Sequence, residues 1–500
     1  MKKSPLSISL VASFLATWFL SSLTIVADQA VVSATDIAAL AERIDARFDD
    51  PNLAESHWGV LIESAETGEI WYERNADRTF VPASNQKILV AAASYRSLGP
   101  DFQFTTTIGY RGNIRGNVLH GDLVVRGDGD PTVYNKFYAH SHDVFRGWAK
   151  ELQSMGIRRI TGNIIGDDDA WVDKHTGQGW PIDEITPWYF AEYGPLSFNE
   201  NYVDLRIIPP AEVGGEVIIE PNVESSYYTL INNIEVVASG RNQIRMSRPM
   251  FTNTITLGGT VVAGTRPFEQ TPTITNPTLF YVTALKEVLE DEGIRVGGDP
   301  VDCDDLEDWD GKGEDLPVLL THKSRPLSDI VPLFMKRSQN MTGENLLHAM
   351  GQYKHGFGSF RNGQRVIQDE LAAFGLDPDR YRIADGSGLS RYNRVTPRQI
   401  NAINRGMYES DLRDLWLQTQ AIAGVDGTLR RISSDSPLTG NVHAKTGTLT
   451  SVRSLSGFLT TDAGEVVIFS ILNNGSFRGS SAVDAVSHSV LEMVIAGGVN

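Results

Sequence analysis

Three short motifs, far apart and in a fixed order, constrain this chain more than any other feature. Ser84-Asn85-Gln86-Lys87 comes first, Ser338-Gln339-Asn340 follows 254 positions later (338 − 84), and Lys445-Thr446-Gly447 stands near the end. Together they supply what a nucleophilic serine requires: an amine three positions on, a second hydroxyl with an amide, and a cation flanked by hydroxyls. A fold that uses all three must bring the two ends of the chain together across everything between. S-x-x-K picks out Ser84 alone and K-T-G occurs once, whereas S-x-N occurs twice, since Ser197-Phe198-Asn199 also fits. The Ser197 copy falls in a loop flanked by glycine and proline and reads as structural, which leaves Ser338.

Local patterns give each motif a setting. Pro82-Ala83 leads into Ser84, and the apolar run Ile88 to Ala93 ends at Leu98-Gly99-Pro100, a helix stop. This predicts a buried helix with Ser84 in its first turn and Lys87 one turn on along the same face. Burial and a second cation, Lys445, disfavour an ammonium there, so Lys87 is the expected general base. Leu327 to Met350 reads as two helical runs meeting near Ser338. Val442 to Thr448 has β character and is followed by strand-like runs at 454–460 and 466–473. Gly447 has no side chain, so a substrate backbone is expected to lie against this strand as an added one. Its terminal carboxylate would meet Lys445, Thr446 and Thr448.

The set Ser84/Lys87, Ser338/Asn340 and Lys445 to Thr448 resembles the serine-type D-alanyl-D-alanine carboxypeptidase/endopeptidase family, the low-molecular-mass penicillin-binding proteins with large inserted domains. The likeness extends to Gly121-Asp122-Leu123 through Pro131, Tyr193-Gly194-Pro195-Leu196-Ser197, Asp385-Gly386-Ser387-Gly388-Leu389-Ser390-Arg391, and Gly424 to Leu429. It implies an α+β fold: a β-lactamase/transpeptidase-like domain, an antiparallel sheet flanked by helices, with a large β-rich insertion forming one or two nested domains. It further implies hydrolysis of the terminal D-alanyl-D-alanine bond of peptidoglycan through an acyl-serine, and leaves open whether peptide cross-links are cut as well. In that scheme Ser84 attacks and Lys87 takes its proton. Ser338, bonded to both lysines, relays a proton to the departing amine, while Asn340 holds the substrate amide. Backbone N–H groups of Ser84 and Thr448 would hold the oxyanion. Peptidoglycan stem peptides would be substrates and β-lactam antibiotics covalent inhibitors. Asp167, Asp168, Asp169 and Arg391 either line a pocket for the stem-peptide side chain or are surface charges. Gln339 stands where the family often has asparagine and is not expected to carry chemistry.

Two readings from other classes share parts of this pattern. A β-lactamase would carry the same triplets but needs no insertion of this length. A non-catalytic wall-peptide-binding scaffold would have no need for the full set of nucleophile, base, relay and carboxylate site.

At 500 residues the chain exceeds one ordinary domain. The motifs assign residues 35–98 and 321–500 to a discontinuous catalytic domain and 99–320 to inserted accessory domains. Residues 1–34 read as a signal peptide: Lys2 and Lys3, an apolar run from Leu6 to Val26, and small residues at Val32-Ser33-Ala34. Cleavage near Ala27, or retention as an N-terminal membrane anchor, is the alternative. The protein is expected to be secreted across the inner membrane, into the periplasm or cell-wall space. A net charge of −18 argues against a nucleic-acid partner. A single cysteine, Cys303, rules out an internal disulfide. The ten histidines show no metal spacing, and neither H-E-x-x-H nor G-x-S-x-G occurs, so no metal, cofactor or α/β-hydrolase elbow is expected. The acidic stretch Asp302 to Asp315 reads as a solvated loop.

Overall fold

The computed structural model describes residues 34–309 and 313–497. The expected signal peptide lies outside the described residues, but for Ala34. Leu40, Ile44 and Phe48, spaced about a helical turn apart, give helix α1 (Ala34–Phe48) its buried face. The hairpin of β1 (His57–Ser64) and β2 (Ile70–Arg74) follows. Helix α2 (Gln86–Leu98) has nearly every side chain buried, which is why its sequence is a continuous apolar run.

The inserted segment then builds β3 (Thr105–Arg115), β4 (Val118–Arg126), α3 (Asp143–Ser154), β5 (Arg159–Ile160) and β6 (Ile164–Asp167). Seven short strands follow: β7 (Leu205–Ile208), β8 (Ile218–Pro221), β9 (Thr229–Val237), β10 (Gln243–Ser247), β11 (Thr254–Val262) and β12 (Phe268–Gln270) before α4 (Pro277–Asp291), and β13 (Arg295–Val296) after it. The segment closes with β14 (Pro300–Asp302) and β15 (Val318–Lys323). Helix α4 starts where Asn276 Oδ1 accepts the Leu279 N–H at 2.7 Å and Pro277 opens the first turn. A seven-stranded sheet and two three-stranded sheets share one apolar core with α3 and α4, built on Phe145, Trp148, Phe198 and Phe280. The acidic stretch departs from the expected solvated loop at its start: Asp302 closes β14 and Cys303 is fully buried.

The chain returns through α5 (Leu327–Arg337), α6 (Asn340–His355), α7 (Phe360–Ala372), α8 (Pro397–Glu409) and α9 (Arg413–Thr419). It ends in β16 (Ala421–Ile422), β17 (Val442–Leu449), β18 (Val452–Thr460), β19 (Val466–Asn474) and α10 (Ser480–Ile495). Six strands pair antiparallel in the order β16-β17-β18-β19-β1-β2. Alternation along β19 shows the two faces: Val467, Phe469 and Ile471 join the core under α1 and α10, while Ile468 and Leu472 join the helical core around α2, α6 and α8. The fold is therefore α+β, an antiparallel sheet between helices with a long β-rich insertion. Trp171, Trp180, Phe190, Tyr193 and Tyr202 of the insertion pack into that same helical core. This brings the inserted chain against α6.

Candidate active site

Ser84 lies in a short 3-10 turn, Ala83 to Asn85, directly before α2. Ala83 holds φ 47°, a left-handed conformation that costs a residue with a Cβ about 1–3 kcal/mol. Three contacts over-determine it. Ser454 Oγ donates to the Pro82 carbonyl at 2.6 Å, and Asn85 Nδ2 donates to the Lys445 carbonyl at 2.8 Å. On the other side Gly388, at φ 86°, lies so close that a Cβ there would stand 2.0 Å from the Ala83 oxygen.

Gly447 is explained by the same approach. A Cβ on it would meet Ser454 Oγ at 2.1 Å, the Pro82 oxygen at 2.8 Å and the Ser84 nitrogen at 2.9 Å. The glycine is thus required by the nucleophile turn pressing on β17, and the expectation that it clears space for a substrate backbone is corrected to that extent.

Lys87 is fully buried, with Nζ 3.0 Å from Ser84 Oγ, 2.7 Å from Asn340 Oδ1, and against the Ser387 carbonyl. Burial lowers its pKa from 10.5 to about 7, against the opposing pull of Asp385, Glu344 and Glu200. In the neutral amine two N–H groups serve Asn340 and Ser387, and the lone pair is left facing the Ser84 hydroxyl. That is the geometry of a general base.

Ser338 occupies the junction of α5 and α6 at φ 60°. Lys445 Nζ donates to its Oγ at 2.9 Å and to the Thr446 carbonyl at 2.8 Å. The expected bond from Lys87 to Ser338 is not formed, because Lys87 spends its contacts on Ser84, Asn340 and Ser387. Lys445 is buried too, and burial first and Lys87 second push its pKa well down. Asn340 Nδ2 donates to the Tyr189 carbonyl at 2.6 Å, which leaves one amide hydrogen. Thr446 Oγ1 lies 2.6 Å from Thr428 Oγ1, and Arg453 donates to Thr448 Oγ1.

These groups converge on one cleft of about 490 Å³, lined by Ser84, Ser338, Asn340 and Thr446 to Thr450 on one side of the chemistry and by Trp188, Tyr189 and Arg391 further out. Lys87 and Lys445 lie beneath its floor. Asp167, Asp168 and Asp169 do not line it: they face Arg126, Thr278 and Trp309 respectively. Ser197 is buried away from the cleft, its Oγ donating to the Gly194 carbonyl.

Sequence reasoning missed the group that carries the third Lys87 contact. Glu344 on α6 accepts the Gly386 and Ser387 N–H groups at 2.8–3.0 Å, and Asp385 accepts from Gly388 and Ser390 N–H and from Trp180 Nε1. Burial and the Asp385 charge raise the Glu344 pKa to about 8. Together they fix the loop whose Ser387 carbonyl meets Lys87. The signal available in sequence was the Asp385 to Arg391 stretch itself, which carries small residues and gives no hint that a backbone oxygen acts.

The model of the D-Ala-D-Ala carboxypeptidase 3 (S13) family matches residues 40–493. Among curated relatives, the D-alanyl-D-alanine carboxypeptidase of Actinomadura sp. (strain R39) is 32% identical over 464 residues, covering 89% of this chain and 82% of the relative. The D-alanyl-D-alanine carboxypeptidase DacB of Haemophilus influenzae is 28% identical over 447 residues, covering 85% and 86%. Among solved structures, penicillin binding protein 4 (dacB) from Haemophilus influenzae is similar with a TM-score of 0.76 at 25% identity, over 90% of this chain and 99% of that one. A second structure of that protein, complexed with a novel β-lactam, is similar with a TM-score of 0.70 at 25% identity, over 91% and 99%.

Proposed function

The chain belongs to the D-Ala-D-Ala carboxypeptidase 3 (S13) family, and we propose that its serine-type carboxypeptidase activity runs through Ser84 as nucleophile and Lys87 as base. The observation that carries this is the Lys87 amine, held dry and 3.0 Å from Ser84 Oγ.

Ser84 Oγ attacks the carbonyl between the two terminal D-alanines while its proton passes to Lys87 Nζ. The C–N bond then breaks: the nitrogen takes the Ser338 hydroxyl proton, Lys445 Nζ replaces it, Lys87 holds the Ser84 proton until deacylation returns it, and free D-alanine leaves. Water hydrolyses the ester and restores Ser84. The substrate carboxylate sits on Lys445, Thr446 and Thr448, and its arrival favours the protonated form of a lysine that burial alone disfavours. Gly447 keeps the nucleophile against this strand. Asn340 offers its remaining amide hydrogen to the substrate backbone, and the N–H groups of Ser84 and Thr448 hold the oxyanion.

Penicillin acylates the same serine. The substrate is the peptidoglycan stem peptide, which places the enzyme in the periplasm or cell-wall space; among the described residues no helix is long and apolar enough to cross a membrane. We read residues 35–98 and 321–500 as the catalytic domain and 99–320 as inserted domains, supported by a six-stranded sheet that draws strands only from the flanking segments.

Labelled penicillin, peptide-mapped by mass spectrometry, tests the assignment. Label is expected on Ser84 and absent from Ser84→Ala with an unchanged fold. Label on Ser338 or Ser197 would overturn it.

A further inference from the structure

Three consecutive residues, none of them glycine, hold left-handed backbone: Asn199, Glu200 and Asn201, at φ 50°, 53° and 54°. Asparagine tolerates this conformation; glutamate does not favour it, and runs of such residues are rare. They persist where the surroundings over-determine them, and strain of this kind clusters at functional sites. Both asparagines are fully engaged. Asn199 Nδ2 donates to the Tyr202 carbonyl and its Oδ1 accepts from Ser141 Oγ, each at 2.6 Å. Asn201 Nδ2 donates to the Glu192 carbonyl at 2.8 Å and its Oδ1 accepts the Phe198 N–H at 3.1 Å. The turn they build carries Glu200 between them, 4% exposed.

Its carboxylate leaves the inserted segment for the start of α6. Glu200 Oε2 accepts from Gln339 Nε2 at 2.7 Å and from Tyr202 OH at 2.9 Å, and Gln339 Nε2 also donates to Tyr134 OH. Gln339 is the residue between Ser338, whose Oγ meets Lys445, and Asn340, whose Oδ1 meets Lys87. Ser338 is itself left-handed at a helix junction, so the segment has other backbone conformations open to it unless something pins it. The Gln339 backbone N–H is held by the Phe334 carbonyl of α5 at 3.1 Å, and the pins on its side chain are Glu200 and Tyr134, both from the insertion.

We propose that Glu200 is a positioning residue for the reaction: through Gln339 it locks the segment that sets Ser338 and Asn340 against the two active-site lysines, so the inserted segment completes the active site. This rests on the roles given above to Ser338 and Asn340.

The test uses the full chain and the rate of acylation by fluorescent penicillin, with the melting midpoint recorded for every variant. Glu200→Ala should slow acylation about 100-fold, the scale of a misplacement of about 1 Å. Glu200→Gln retains an acceptor oxygen for Gln339 and Tyr202 and should recover most of that loss. Gln339→Met cuts the same contact from the other side, should slow acylation equally, and should add nothing to Glu200→Ala in the double variant. Asn345→Ala loosens the joint elsewhere, where Asn345 Nδ2 meets the Gly129 carbonyl at 3.0 Å, and should cost melting temperature but not rate. Normal acylation by Glu200→Ala, failure of Glu200→Gln to recover, or equal slowing by Asn345→Ala would each overturn the proposal. A wild-type protein that penicillin does not label would overturn the acyl-serine reading and this one with it.

Discussion

Replacing Lys87 by methionine should destroy the activity, and its effect on stability should depend on pH in a specific way. Unfolding returns the amine from about 7 to its ordinary 10.5. Between those values the unfolded chain binds a proton that the native protein does not. Wild-type stability therefore falls by about 1.4 kcal/mol for each pH unit as pH drops through this window, and levels off below it. From about pH 9 to about pH 7 the linkage is worth roughly 2.7 kcal/mol. Methionine has no such term. Against this, Asn340 Oδ1 and the Ser387 carbonyl lose a donor, about 1–3 kcal/mol each. That loss is independent of pH, so the slope is diagnostic where the offset is not. Melting midpoints of both proteins, measured across this range at constant ionic strength, should diverge as pH falls from about 9 to about 7 and then run parallel. For a cooperative unit of about 150–250 residues the divergence is roughly 5–10 °C. A gap constant across pH would mean that Lys87 is an ammonium in the native protein, and the general-base argument would fail.

The rate of acylation should rise with pH through a midpoint near 7, the value to which burial lowers Lys87. Asp385→Asn removes the charge that most favours the ammonium, so its rate profile should move to lower pH even as its amplitude drops; a shift upward would contradict the electrostatics. Gly447→Ala should cost about 1–3 kcal/mol of stability and most of the acylation rate, because the added methyl pushes β17 off the Ser84 nitrogen; normal kinetics would show that the strand is free to retreat. If Lys445 holds the substrate carboxylate, a peptide ending in an amide should react far more slowly than the acid with wild type and about equally with Lys445→Ala; undiminished discrimination would place the carboxylate elsewhere.

What sequence makes legible here is local periodicity and residue type. The apolar run after Ser84, the two helical runs around Ser338 and the strands after Val442 are all where pattern puts them, because each is a short segment whose burial dictates its composition. Ser84, Ser338, Asn340 and Thr446 to Thr448 line one cleft with Lys87 and Lys445 beneath it, an assembly that the motif types and order pointed to without giving distances. The partners that set the chemistry are another matter. The Ser387 oxygen is a backbone atom, and any residue type could supply it. Glu344 and Asp385 read as ordinary polar residues until a loop closes over them. The left-handed run at Asn199 to Asn201 contains no glycine, so composition gives no warning of it. Gly447 was visible as a glycine, yet the group that presses on it, the turn before α2, comes from the other end of the chain.

That last contact belongs to a sheet whose order has consequences for the newborn chain. Strand β1 pairs along its whole length with β19, from His57 opposite Asn474 to Ser64 opposite Val467. The first strands to emerge must therefore wait, edge exposed, for the last one, and loop closure across such a span is slow. Until β17 arrives, Lys445 cannot meet Ser338 and no glycine abuts the Ser84 turn. A chain made N-terminus first thus carries its nucleophile through synthesis before the strand that completes its site exists.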